Sequence, residues 1–133
     1  MGFEEGSVSA FVAVVAIGLV MVAGMSYDGG KIVAAQAMAR DLASSAARAG
    51  AQEIDLDVLR STGDTVLDPE RATAAASAFL AASGHTGRMW VSESSITVAV
   101  TIRQPMRILP VGERSVTATD TATALGEPSA PGP

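Results

Sequence analysis

Residues 6–27, GSVSAFVAVVAIGLVMVAGMSY, carry no charged side chain. As an α-helix they run about 33 Å at ~1.5 Å per residue, against a bilayer hydrocarbon core of about 30 Å. Such a helix is apolar on every side, so a water-soluble fold would have to wrap it completely in other apolar surface. The rest of a 133-residue chain with only 4% aromatic residues offers too little for that. The stretch is therefore expected to span a membrane. A cleaved secretory signal is the competing reading, but it calls for a basic leader, a run of roughly 7–15 apolar residues and a small-x-small cleavage box. Here Glu4 and Glu5 stand in the leader, the run is longer, and the box around Val22, Ala23 and Gly24 is poorly formed. Retention is expected.

The charges around the span set an orientation only weakly. No Lys or Arg precedes it, whereas Lys31 and Arg40 follow, and that count alone directs the C-terminal part to the cytoplasm. Long domains, however, translocate largely regardless of charge. Elsewhere 14 acids outnumber 9 bases without a basic cluster, which excludes the electrostatic footprint of a nucleic-acid binder. The absence of cysteine removes disulfides, thiolate metal sites and thiol nucleophiles together.

Beyond the span, residues 28–55 are almost all helix formers, with Ile32, Val33, Met38, Leu42 and Ile54 set among alanines. Asp28 is placed to cap this second helix, and Gly29 and Gly30 to relax the backbone where it leaves the bilayer, giving one long hinged stem. The small residues Ala34, Ala35, Ala39 and Ala46, with Gly18 and Gly24 in the span, admit close approach of another helix. The alanines are equally explained as good helix formers.

Residues 55–70 read as a turn-rich connector ending in Asp68-Pro69-Glu70, which supplies an N-cap, a proline at the first helical position and an acid in the first turn. A short helix over 69–83 follows, with Gly84 at its left-handed close. The period then changes to two: in SSITVAVTIRQP, Ile96, Val98, Val100 and Ile102 share one face, and Thr97, Ala99, Thr101 and Arg103 the other. RMWVSE before it and ERSVTATDTATAL after it alternate less strongly, while Pro105 and Pro110 suit an edge or a connection. The expected fold class is α+β: a long N-terminal transmembrane and stem helix, a second short helix, and an antiparallel β-meander of about three strands. Its parts are a tail (1–6), the span (7–27), the stem (28–55), a small outer domain (56–125) and a disordered tail (126–133).

Chemistry is hard to find. His85, the sole histidine, lies in the Gly-flanked turn SGHTG, where an exposed loop residue is a better reading than a catalytic base. Glu53, Asp55, Asp57 and Asp64 resemble the first half of a calcium loop, but Val58 stands where its glycine belongs and Asp64 where its glutamate belongs. A solvated acidic connector fits better. No phosphate loop or nucleophile elbow is present, so neither enzymatic activity nor a cofactor or metal is expected.

The N-terminal run from Gly6-Ser7 through the span, Asp28 and Gly30 to the Ala-rich AARAGA at 46–51 resembles the TadE/TadG-like proteins of tight-adherence (Flp-type) pilus systems. The resemblance covers about the first fifty residues. It implies a pilin-like or pseudopilin-like subunit with its C-terminal part outside the membrane, packing on other pilin-like subunits, on assembly proteins or on itself. It also implies Gly6-Ser7 as the candidate processing site. The glutamate usual five positions into a mature pilin is replaced here by Phe11 for cleavage after Gly6, or by Ser7 for cleavage after Gly2. The rival expectation is a single-pass anchor whose outer domain binds a partner without polymerising, with Thr117, Thr119, Thr121 and Thr123 on its binding face.

Overall fold

In the computed structural model, which describes residues 3–107 and 112–124, one α-helix, α1, runs unbroken over Phe3–Ala51. It is followed by α2 (Leu56–Thr62), α3 (Pro69–Ala82) and strands β1 (Gly87–Ser92), β2 (Ser95–Pro105) and β3 (Glu113–Thr123). The strands form an antiparallel sheet in the order β1-β2-β3. The α+β class is as expected, with two short helices after the long one where one was expected. The expected C-terminal tail and Pro110 lie outside the described residues.

The expected hinge is absent. Asp28, Gly29 and Gly30 are internal to α1, so Asp28 does not stand at the start of a second helix, and α1 already begins at Phe3, inside the expected tail. Each glycine costs a helix interior roughly 0.5–1 kcal/mol relative to alanine. A proline-free apolar run precedes these residues and an alanine-rich run of helix formers follows them, and an apolar helix that could cross a bilayer keeps its backbone bonds satisfied by staying helical.

α2 occupies the stretch read as a bare connector. Asp55 accepts from the backbone N–H of Asp57 and Val58, and Gly63, at φ 82°, closes the helix with its N–H on the Leu59 carbonyl. α2 buries no residue, so no apolar periodicity announces it. The excursion is tied at its base by the Ile54–Leu67 bridge and by the Asp68 N–H on the Glu53 carbonyl at 2.9 Å.

α3 follows its local signals closely. The Asp68 carboxylate accepts from the N–H of Glu70 and Arg71, both at 3.1 Å, with Pro69 at the first position. At the other end Gly84 adopts φ 74°, its N–H bonds the Ala81 carbonyl, and the His85 N–H bonds the Leu80 carbonyl. Those paired bonds are the Schellman closure.

The sheet lays its Ile96, Val98 and Val100 face on α1 and α3, where the core joins Leu67, Leu80, Ala72, Ala76 and the alanines 43, 46, 47 and 51 of α1. With alanine as the commonest core residue, the layers sit close. Gly50 is where they sit closest: a Cβ there would stand 2.7 Å from Ile96 Cδ1 and 2.9 Å from the Ala72 carbonyl oxygen. β1 pairs only with residues 95–100 of β2, so beyond Val100 the β2–β3 hairpin continues as a two-stranded arm. Pro105, at the end of that arm, therefore lacks its N–H at an edge, where the loss is tolerated.

Candidate functional site

α1 is divided along its length. From Gly6 to Ala23 every residue is exposed, with Phe11 at 69% and Leu19 at 66% relative exposure. From Gly24 onward one face is covered: Gly24, Asp28, Ala35, Ala39, Ala43, Ala46, Ala47, Gly50 and Ala51 are buried. Among the described residues α1 is the one helix long and apolar enough to cross a membrane, and only 6% of its apolar window is buried in the protein. The Ser26 hydroxyl, at the end of this stretch, donates to the Val22 carbonyl at 3.0 Å, which satisfies it without water.

The small residues expected to receive another helix separate into two groups. Ala46 lies in the core shared with the protein's own sheet and α3, and Ala35, Ala39 and Gly24 are buried as well. Gly18 and Ala34 are exposed, and a Cβ on Gly18 would meet nothing within 4 Å. Gly18 and Gly24 are six residues apart, which at 3.6 residues per turn places them about 120° apart around the axis, so they share no face. The exposed back of the stem presents Gly30, Ala34 and Ala37, then Asp41, Ser45 and Arg48. Gly6 and Ser7 are exposed on the first turns of α1.

β3 runs beside α1 in the same direction. Thr119 and Asp120 lie across a shallow groove from Arg40, Asp41 and Ser44, and farther along residues 120–123 lie across from Arg48, Ala51 and Gln52. The outer face of the sheet is polar. Thr97 and Thr121 share a hydrogen bond at 2.8 Å, as do Thr101 and Thr117, and Trp90, 52% exposed, carries the Arg88 guanidinium 5.7 Å from its ring centre.

Two of the four acids weighed for calcium, Glu53 and Asp55, are engaged within the fold. Asp55 caps α2, Glu53 pairs with Arg71 at 2.7 Å, and Asp57 lies 3.9 Å from Arg60. Among the described residues no three metal-ligating side chains converge. His85 lies half-buried just past α3, its N–H engaged in the helix closure.

Two features escape sequence reasoning. Asp28 is 1% exposed, one turn beyond buried Gly24 and on a helix that is bare from Gly6 to Ala23. Gly50 is a contact point of α1, α3 and β2, and the only sequence signal for it is a lone glycine in the alanine run AARAGA. Comparison of the chain with protein-family models, with curated proteins and with solved structures returns no match.

Proposed function

We propose that this protein is a structural or assembly subunit, pilin-like or pseudopilin-like, of a Tad-type pilus or a related secretion apparatus, and that it acts by helix packing without enzymatic chemistry or cofactor. The observation that carries the reading is the division of one rigid helix into a bare apolar half and a half fused to a small α+β domain. A bare apolar helix is stable in lipid or among like helices, and an unbroken stem passes position and torque from one environment to the domain in the other. Helices in lipid associate by close packing of small residues and not by a hydrophobic drive, which is what exposed Gly18 in the span offers; Gly30 and Ala34 extend a small-residue surface along the stem. In this reading the domain is extracytoplasmic, the span holds the subunit in the membrane before assembly, and neighbouring subunits cover it afterward. The test is to shear cells expressing the protein, separate released filaments from membranes, and blot both. Recovery in the filaments supports a pilin-like filament subunit; strict retention in the membrane rejects the filament subunit and leaves an assembly factor or a membrane-tethered binding module.

One observation favours a second reading, a membrane-anchored binding module that does not polymerise. Half-exposed Trp90 beside Arg88 on a threonine-rich sheet face is a surface suited to a partner. Exchanging residues 7–27 for an unrelated membrane helix separates the two: a binding module keeps its function and a packing subunit loses it.

A further inference from the structure

We propose that the hairpin end of the domain makes a second contact with the bilayer, in which Lys31, Arg103, Arg107 and Arg114 bind the phosphates of anionic lipid headgroups. The inference rests on the membrane-anchor reading of α1. Its first support is the level at which these residues lie. Thr119 and Asp120 share a groove with Arg40, Asp41 and Ser44, and residues 120–123 share the next with Ser44, Arg48, Ala51 and Gln52, which sets Thr119 at about the level of Arg40. Glu113, six residues before Thr119, therefore lies about 20 Å nearer the span at ~3.4 Å per strand residue, which corresponds to about 13 residues of helix. That is level with about Tyr27, where the uncharged stretch ends. Burial of Gly24 and Asp28 on α1 agrees with cover reaching that level.

The second support is charge. These four residues are among only nine bases in the chain, and they gather at the end facing the bilayer. Arg103, Arg107 and Arg114 are exposed, and Lys31 lies 5.0 Å from the ring centre of Tyr27, an aromatic suited to the membrane interface. The ion pair of Arg103 with Glu113 at 3.6 Å on this arm is open to solvent, with Arg103 78% exposed, and leaves the arginine available. The acids Glu53, Asp55, Asp57, Asp64, Asp68, Glu70 and Glu93 gather toward the opposite end, beyond or beside the C-terminus of α1, whereas the membrane-facing end holds Glu113 and buried Asp28 against its four bases. A chain of net charge −5 thus presents its positive pole to the membrane. Each basic residue held near an anionic surface strengthens association by about fivefold, an effect confined to about 10 Å at ordinary salt.

The test uses the full chain in nanodiscs of phosphatidylcholine with and without phosphatidylglycerol, read by amide hydrogen exchange. Exchange of residues 101–107 and 112–117 is expected to slow severalfold in the anionic discs and to recover in high salt. The variant carrying Arg103→Gln, Arg107→Gln and Arg114→Gln is expected to lose the difference, with exchange in α3 unchanged as the control for folding. Equal exchange in both discs overturns the proposal and leaves the anchor reading intact. Failure of the chain to insert in either disc removes both. Slowing by inorganic phosphate in phosphatidylcholine discs overturns it too, since the ligand is then a free anion and not the membrane.

Discussion

Gly50 of α1 faces Ile96 of β2 so closely that a methyl group on its Cα would stand 2.7 Å from the isoleucine Cδ1. The same methyl would approach the Ala72 carbonyl oxygen of α3 to 2.9 Å, and a backbone atom yields far less readily than a side-chain end. Gly50→Ala is therefore expected to lower stability by about 1–3 kcal/mol despite the better helix propensity of alanine. Gly30→Ala, on the same helix with open space around it, is expected to raise stability by roughly 0.5–1 kcal/mol. Denaturant unfolding of the two variants in detergent micelles checks the opposite signs, and a loss at both positions would restore a required hinge at residue 30.

Asp68→Ala removes the side chain that accepts from Glu70 and Arg71, and costs about 1 kcal/mol. The loss is confined to α3 and the sheet it covers. Thermal unfolding should record it, while membrane insertion of α1 stays unchanged.

Gly18→Leu fills an exposed position of the span with nothing of its own protein within reach. The domain is expected to unfold as the parent does, while recovery in sheared filaments falls severalfold. Normal recovery in that variant would remove Gly18 from the packing surface.

Trp90→Ala tests the sheet face separately from the stem. Half of the side chain is already in water, so the change is expected to alter stability by less than about 1 kcal/mol and to leave filament recovery unchanged. Loss of a cellular activity with assembly intact would move function to the outer sheet.

Where a structural signal is local, the sequence carried it. Asp68-Pro69 and Gly84 bracket α3, and the alternation from Ile96 to Ile102 locates β2, because caps and two-residue periods depend on neighbours in the chain. α2 was missed because its stabilising contacts are caps and not an apolar face. The stem departs from its sequence expectation for a different reason. The alanines and glycines that admit a close neighbour do so whether that neighbour is another subunit or the chain's own sheet, and composition does not distinguish them. Ala35, Ala39 and Ala46 are buried within the protein itself; Ala34 is exposed. Asp28 read as a cap because an acid beside two glycines usually ends a helix, whereas here the helix continues and the residue is covered.

The central claim is that the bare half of α1 is covered by like helices in the assembled state. The chain has no cysteine, so single cysteines placed at Phe11, Val14, Gly18 and Val22 report on it cleanly. Oxidative cross-linking in intact cells is the measurement. Disulfide-linked species at these positions, which share one face of the helix, and none for a cysteine placed at buried Ala39, are the expected result. A protein that stays uncross-linked at every position of the span, while correctly inserted, would contradict the account and leave α1 a solitary anchor.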